Sequence, residues 1–276
     1  LKIPAYIVGL TVVAFGTSLL EAAVSITASI QNRNAIAIGN IIGSNIFNTL
    51  MVLGFSALFA PILVQKNILK RDLPFCLEIT ALLLVLILTM NNGIPALTRF
   101  DGVVLLVIFV TFMIGSIMTC KKEAKRNTTL PSEKESEMPM WKCLLFITAG
   151  LAGVIVGGQF TVNGATSMAE MLGMSETVIG LTVVAIGTSL PELVTSIVAA
   201  RKHQNDIAIG NVIGSNIFNI LFILGMSATI NTIEPGGNAV VVDACVLLAI
   251  MAFIYIFLLF FVKYGCPIFI IYVLSF

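Results

Sequence analysis

Glu21 closes the segment GLTVVAFGTSLLE and Glu192 closes GLTVVAIGTSLPE, so a chain that is 58% hydrophobic carries one carboxylate twice in the same apolar setting. A carboxylate at the centre of a bilayer costs roughly 3 kcal/mol and persists where a cation or a water-filled cavity compensates it. The chemistry to expect is therefore cation binding by oxygen. Thr17 lies one helical turn before Glu21 on the same face, with Ser18 beside it, and Thr188 and Ser189 stand in the same relation to Glu192. A second repeated segment, GNIIGSNIFN at 39–48 and GNVIGSNIFN at 210–219, adds Ser44, Asn48, Ser215 and Asn219. Gly16 and Gly187, with Pro191 after the second, weaken the helix where broken-helix transporters expose backbone carbonyls, which makes the carbonyls of Ala14 and Ala185 candidates. Every one of these donors is a hard oxygen, and no imidazole or thiolate lies in the motifs. Ca²⁺ and Na⁺ fit such a set, and Zn²⁺ and copper do not. Two ionised glutamates are matched by one Ca²⁺ or by two Na⁺, and competition for one cage is the simplest basis for exchange.

Other polar residues have plainer readings. Ser25 and Ser196 are expected to hydrogen-bond between helices. Asp72 and Asp243 correspond between the repeats and each is expected to open a helix near an interface, where first-turn acids favour the dipole. Gln159 and Asn163 share a face of one long apolar segment and either line a pathway or pack. Glu170 and Glu176 are expected to flank a solvated turn, and His203 to sit on the surface of another. Five cysteines without C-x-x-C spacing indicate neither a metal cage nor a disulfide framework. No H-E-x-x-H or G-x-S-x-G pattern is present, so no enzyme activity, cofactor or nucleic-acid partner is expected.

The elements that position these residues must be membrane helices. Charged residues make up only 11% of the chain and the mean hydropathy is +1.05. Apolar runs long enough to span occur at 5–30, 36–59, 74–92, 101–120, 143–170, 176–201, 207–230 and 239–262, with a shorter ninth at 264–276. Gly and Ser within the runs suit close helix contact, and alternating strand patterns are missing, so the fold class is all-α, a polytopic membrane protein. The two motif copies lie 171 positions apart. The second copy lies five spans further on than the first, an odd number, so the copies enter from opposite faces and the repeats are inverted.

The expected organisation is a first half at 1–120, a linker at 121–142 and a second half at 143–276. With five helices per repeat, the first half lacks its leading helix and the last helix is cut short. Lys2, Lys66, Lys70, Arg71, Lys121, Lys122, Lys125, Arg126, Lys134, Lys142, Arg201, Lys202 and Lys263 fall on one set of loops, against Arg33 and Arg99 on the other. The positive-inside rule makes the first set cytoplasmic, including the amino end and the linker, which is expected to be flexible. A removable signal peptide is not expected.

GTSLPE with GN-x-IGSN-x-FN in two copies resembles the α-repeats of the calcium/cation antiporter superfamily, and most closely its bacterial sodium/calcium exchanger-like proteins. The resemblance covers nearly the whole chain. It implies ten helices in two inverted halves of five, with the second, third, seventh and eighth forming the ion cage and the first and sixth sliding to give alternating access. It further implies that Glu21 and Glu192 are the shared Ca²⁺ and Na⁺ carboxylates. Thr17, Ser18, Thr188, Ser189, Ser44, Ser215 and Asn48 are then ligands, with carbonyls from Ala14 and Ala185. Leu20 stands where the motif has proline, so the first break is expected to be weaker than the second. Asn219 stands where some exchangers have Asp, which leaves the coupling ion open between Na⁺ and H⁺ or K⁺. The expected function is exchange of Ca²⁺ for Na⁺ by a monomer in a bacterial inner membrane, with the lipid bilayer as its other partner.

Overall fold

The computed structural model describes residues 5–59, 64, 68–89, 94–126, 171–234 and 239–263, with scattered positions between 142 and 167. Gln159, Glu170, the linker from 127 to 141 and the ninth apolar run at 264–276 lie outside the described residues. The described chain is helical apart from turns and one bridge between Leu97 and Ile233.

The first apolar run is two helices, α1 (residues 5–17) and α2 (Leu19–Ile30), meeting at an angle of 52°. Its counterpart is α6 (residues 176–188) and α7 (Leu190–Arg201), meeting at 46°. Each break follows the glycine of a G-T-S triplet, at Ser18 and at Ser189, where ψ opens to 7° and 4°. The comparable angles correct the expectation drawn from Leu20. A proline at the start of a helix removes a donor that has no partner there anyway, so Pro191 is compatible with the break and is not its cause.

Long straight helices follow each broken one, α3 (Asn34–Phe59) and α8 (Asn205–Ile230). Between and after them run α4 (residues 68–88), α5 (Arg99–Arg126) and α9 (Ala239–Lys263). Seven of the spans read from hydropathy recur with shifted ends, while the run at 143–170 is described only at scattered positions. α4 begins six residues before the expected run, because Lys70 and Arg71 sit in its first, wide turn. α5 continues through Lys121–Arg126, so the first six residues of the expected flexible linker are helical, as their Lys, Glu, Ala and Arg composition favours. Asp72 stands at the cap of the regular part of α4 and binds Arg71 Nε at 3.0 Å. Asp243 lies a turn inside α9, not at its opening.

Asn32 and His203 occupy equivalent positions in the two repeats, and both take left-handed backbone with φ of 61° and 58°. The short turns they make reverse the chain from broken helix to long helix. The two turns lie at opposite ends of the molecule. Beside Asn32, Asn231 Nδ2 donates to Asn32 Oδ1 at 2.7 Å, Asn34 Nδ2 donates to the Thr232 carbonyl at 3.3 Å, and Leu97 and Ile233 exchange backbone bonds. Beside His203, at the far end of α3, the Arg201 guanidinium lies 6.0 Å from the Phe59 ring. Equivalent turns at opposite ends are what an inverted repeat requires. The fold is all-α and polytopic, and Arg33 and Arg99 share one end while Lys70, Arg71 and Arg201 share the other.

The long helix of each repeat packs on the broken helix of the other. A Cβ at Gly43 would stand 2.2 Å from the Leu181 carbonyl oxygen and 2.7 Å from Ala185 Cβ. One at Gly214 would stand 2.3 Å from the Leu10 carbonyl oxygen and 2.7 Å from Ala14 Cβ. These glycines permit backbone contact between repeats, as the spacing of small residues predicts. The main core cluster is built mostly of Leu and Ile from α3, α4, α5, α8 and α9, joined by Ile7 and Leu10 of α1 and Ala22 of α2.

Candidate functional site

The two breaks lie side by side at the centre of the four-helix crossing, and the repeats exchange ligands there. Ser18 Oγ, from the first break, donates to Glu192 Oε1 at 2.8 Å. Ser189 Oγ, from the second, donates to Glu21 Oε1 at 3.0 Å. Ser215 on α8 adds a bond to Glu192 Oε1 at 3.3 Å. Both carboxylates are fully buried. A straight helix would carry Ser18 round its own axis; the bend lets the serine reach across to the partner repeat.

The threonines are held by asparagines of the facing long helices. Thr188 Oγ1 donates to Asn40 Oδ1 at 2.9 Å, and Thr17 Oγ1 donates to Asn211 Oδ1 at 3.1 Å. Asn40 and Asn211 donate in turn to Ser25 Oγ at 2.8 Å and Ser196 Oγ at 3.0 Å. The two serines therefore serve as interhelical bonders, as their sequence reading has it. Asn40 and Asn211 were not singled out from the sequence, although their place in both copies of the GN-x-IGSN motif marks them. Ser44 Oγ lies 3.3 Å from Thr188 Oγ1 and 3.4 Å from the Ala185 carbonyl oxygen.

Ala14 and Ala185 line the same centre, but their carbonyls are not freed by the break. The Ser18 N–H reaches the Ala14 oxygen at 3.0 Å and the Ser189 N–H reaches the Ala185 oxygen at 3.1 Å, so the helical i→i−4 bond survives at both. Their threonine hydroxyls also point at these oxygens, at 3.3 Å from Thr17 and 3.2 Å from Thr188. The bend falls one residue later, where Ser18 and Ser189 leave helical backbone. A threonine hydroxyl carries one hydrogen; given to Asn211, it leaves the Ala14 oxygen a second lone pair, whereas the Ala185 oxygen also lies 3.4 Å from Ser44 Oγ.

Asn48 and Asn219 begin wide, π-type turns in α3 and α8, a local geometry frequent at functional sites. Four side-chain oxygens of the expected set are buried and receive no hydrogen bond from the protein: Glu21 Oε2, Glu192 Oε2, Asn48 Oδ1 and Asn219 Oδ1. They form two pairs related by the repeat. Leaving one buried polar group unpaired costs about 1–3 kcal/mol, and more for a charged one, so four together call for an external positive partner. A carboxylate and an amide oxygen from each repeat, flanked by hydroxyls, is a donor set for a hard cation.

Hydrogen bonds bring together ten of the expected residues, Ala14, Thr17, Ser18, Glu21 and Ser44 with Ala185, Thr188, Ser189, Glu192 and Ser215, while Asn48 and Asn219 bond to Asn216 and Asn45 on the facing long helices. All are buried except Thr17, which is half-buried. Asn163 is exposed, and His203 sits on the surface in its turn. Cys76 and Cys245 carry free thiols.

A family model described as sodium/calcium exchanger protein matches residues 1–118 and 142–274. The chain is 40% identical over 248 residues to the putative antiporter CaxA of Alkalimonas amylolytica, covering 88% of this chain and 74% of that one. It is 33% identical over 290 residues to the sodium/calcium exchanger MaX1 of Methanosarcina acetivorans, covering 94% and 83%. Among solved structures, the sodium-calcium exchanger NCX_Mj, soaked with Na⁺ and Ca²⁺, superposes with a TM-score of 0.73 at 35% identity, over 93% of this chain and 79% of that one.

Proposed function

The chain belongs to the sodium/calcium exchanger protein family, and we propose that it is a secondary active antiporter moving Ca²⁺ out of the cytoplasm in exchange for Na⁺. It is a membrane transporter with Ca²⁺ as cargo. The observation that carries the finer reading is the set of four unpaired buried oxygens on Glu21, Glu192, Asn48 and Asn219. In this reading both carboxylates bind one Ca²⁺, assisted by the amide oxygens and by the Ala14 and Ala185 carbonyls. The hydroxyls of Thr17, Ser18, Ser44, Thr188, Ser189 and Ser215 complete the coordination or bind Na⁺ when Ca²⁺ has left.

The cage carries a charge of minus two with both glutamates ionised, since Asn219 adds none. One Ca²⁺ or two Na⁺ neutralise it, and each ion excludes the other from oxygens they share. Were three Na⁺ to enter per Ca²⁺, one net charge would move inward and gain about 2.3 kcal/mol per 100 mV. Burial of the serine–carboxylate pairs on all sides requires the surrounding helices to move before an ion enters or leaves, which is the structural demand of alternating access.

Both carboxylates come from one chain, which supports a monomer as the transporting unit. The halves at 1–120 and 143–276 each supply one acid, one broken helix and one long helix, with 121–142 as the tether between them. The basic residues at the end that holds Lys70, Arg71 and Arg201 support placing that end, the amino end and the linker on the cytoplasmic side of a bacterial inner membrane. The same oxygens would also serve proton- or K⁺-coupled exchange, and the relative CaxA is named only as a putative antiporter. Everted vesicles separate these readings. Ca²⁺ uptake driven by a Na⁺ gradient at constant pH and K⁺ supports the assignment, and uptake driven only by a pH gradient, or only with K⁺, overturns the choice of Na⁺.

A further inference from the structure

Asn45 and Asn216 occupy the first asparagine of the two GSN-x-FN copies, three residues before Asn48 and Asn219, and the exchange assigned above gives them no task. Both side chains are buried. Asn219 Nδ2 donates to Asn45 Oδ1 at 3.0 Å, and Asn48 Nδ2 donates to Asn216 Oδ1 at 3.3 Å. Each repeat's second asparagine therefore gives its NH₂ to the other repeat's first. That bond commits one end of each amide: the nitrogens are taken and the oxygens, Asn48 Oδ1 and Asn219 Oδ1, are left unpaired and open to an ion. An amide turned the other way would present N–H donors to a cation and lose all attraction for it.

The first asparagines are themselves locked. Asn45 Nδ2 donates to the Asn216 carbonyl oxygen at 3.3 Å, so a flip would set its own oxygen against that carbonyl. Asn216 Nδ2 donates to Thr49 Oγ1 at 2.8 Å, with Met251 Sδ of α9 at 3.9 Å. Thr49 in turn donates to the Asn45 carbonyl at 2.7 Å, closing the ring. Each contact has a donor facing an acceptor, and reversing any one amide breaks the pattern.

We propose that Asn45 and Asn216 form a cross-repeat amide latch that orients the oxygens of Asn48 and Asn219 toward the transported cation and demands a hydrogen-bond donor at position 219. This inference rests on the proposed cage and makes Asn45 and Asn216 positioning residues, since neither touches the ion. It also gives a structural reason for Asn at 219: an ionised Asp there would face Asn45 Oδ1, and Asn45 is unable to turn and offer its NH₂.

The test is a double-mutant cycle on the full chain in proteoliposomes, read as initial Ca²⁺ uptake against Ca²⁺ concentration, with folding checked by gel filtration. Asn45→Leu, nearly isosteric and without an acceptor, is expected to raise the apparent KM for Ca²⁺ about five- to tenfold, the worth of one net hydrogen bond, with the maximal rate kept within about twofold. Asn219→Asp alone is expected to lose more, and Asn45→Leu added to Asn219→Asp is expected to recover part of that loss, because the opposed oxygen is gone. Should Asn45→Leu not fold, Asn45→Ala and Asn45→Ala with Asn219→Asp carry the same comparison. A fall in maximal rate with KM unchanged, or strictly multiplicative effects in the double variant, overturns the latch. Glu192→Gln measured alongside keeps the readings apart: if it leaves transport intact the cage itself is wrong, and if it abolishes transport while the cycle is multiplicative only the latch is wrong.

Discussion

Adding a single methyl group at Gly43 is expected to disable the cage without replacing any ligand. Its Cβ would lie 2.2 Å from the Leu181 carbonyl oxygen and 2.7 Å from Ala185 Cβ, both on α6 of the other repeat. Ordinary contact for such atoms begins near 3.4 Å, so α6 must retreat from α3 by about 1 Å. The same helix carries Thr188 and leads into Ser189, whose hydroxyl binds Glu21 at 3.0 Å, and Thr188 sits 3.3 Å from Ser44. A 1 Å retreat takes both past hydrogen-bonding range. Overpacking of this kind costs about 1–3 kcal/mol. Were that cost to fall on the bound state, Ca²⁺ affinity would drop about fivefold to over a hundredfold. The assay is Ca²⁺ uptake by reconstituted protein over a Ca²⁺ series, with Gly54→Ala as the control, since a Cβ at Gly54 meets nothing within 4 Å. Full transport by Gly43→Ala at wild-type KM would refute the claim that the repeats hold the ligands by backbone contact.

Glu192→Gln keeps the volume but removes one of the two charges that would meet the cation, and loss of one partner of a buried pair of opposite charges costs about 3 kcal/mol or more. Ca²⁺ transport at micromolar Ca²⁺ is expected to vanish while gel filtration of the purified protein stays normal. His203→Gly relieves a left-handed backbone at an exposed turn, so thermal unfolding in detergent is expected to shift upward, by about 1 kcal/mol in stability, with uptake and its pH profile unchanged. A lost or altered pH profile there would make His203 part of proton movement. Leu20→Pro restores symmetry with Pro191 at a break already bent by 52°, so transport is expected to continue with some loss of thermal stability from the buried leucine.

Much of this was legible in the chain because duplication in a membrane protein leaves few alternatives. Glu21 and Glu192 identify themselves by the cost of burying charge, and the odd step of five spans from one copy to the next fixes their inversion. The span boundaries were less legible, since hydropathy stops at Lys70 and at Lys121 while the helix does not: lysine and arginine stems are good helix formers at an interface. The Leu20 expectation failed for a similar reason, because it tied the break to proline when the shared Gly-Thr-Ser triplet sets it. The carbonyls of Ala14 and Ala185 were expected to be freed by the break and are not, as only coordinates tell which residue leaves helical backbone. Asn40, Asn211, Asn45 and Asn216 were visible as letters of a repeated motif. Their partners lie in the other repeat, 148 or more residues away in the cases of Thr188 with Asn40 and Asn219 with Asn45, and spacing along one helix says nothing about them.

The central claim is that Glu21 and Glu192, one from each inverted repeat, grip the same ion. Calorimetric titration of the detergent-purified chain with Ca²⁺, repeated in rising Na⁺ and on Glu21→Gln and Glu192→Gln, tests it directly. The account predicts Ca²⁺ binding that Na⁺ competes away and that either substitution alone removes. Binding that survives one of the two substitutions with its affinity unchanged would contradict it.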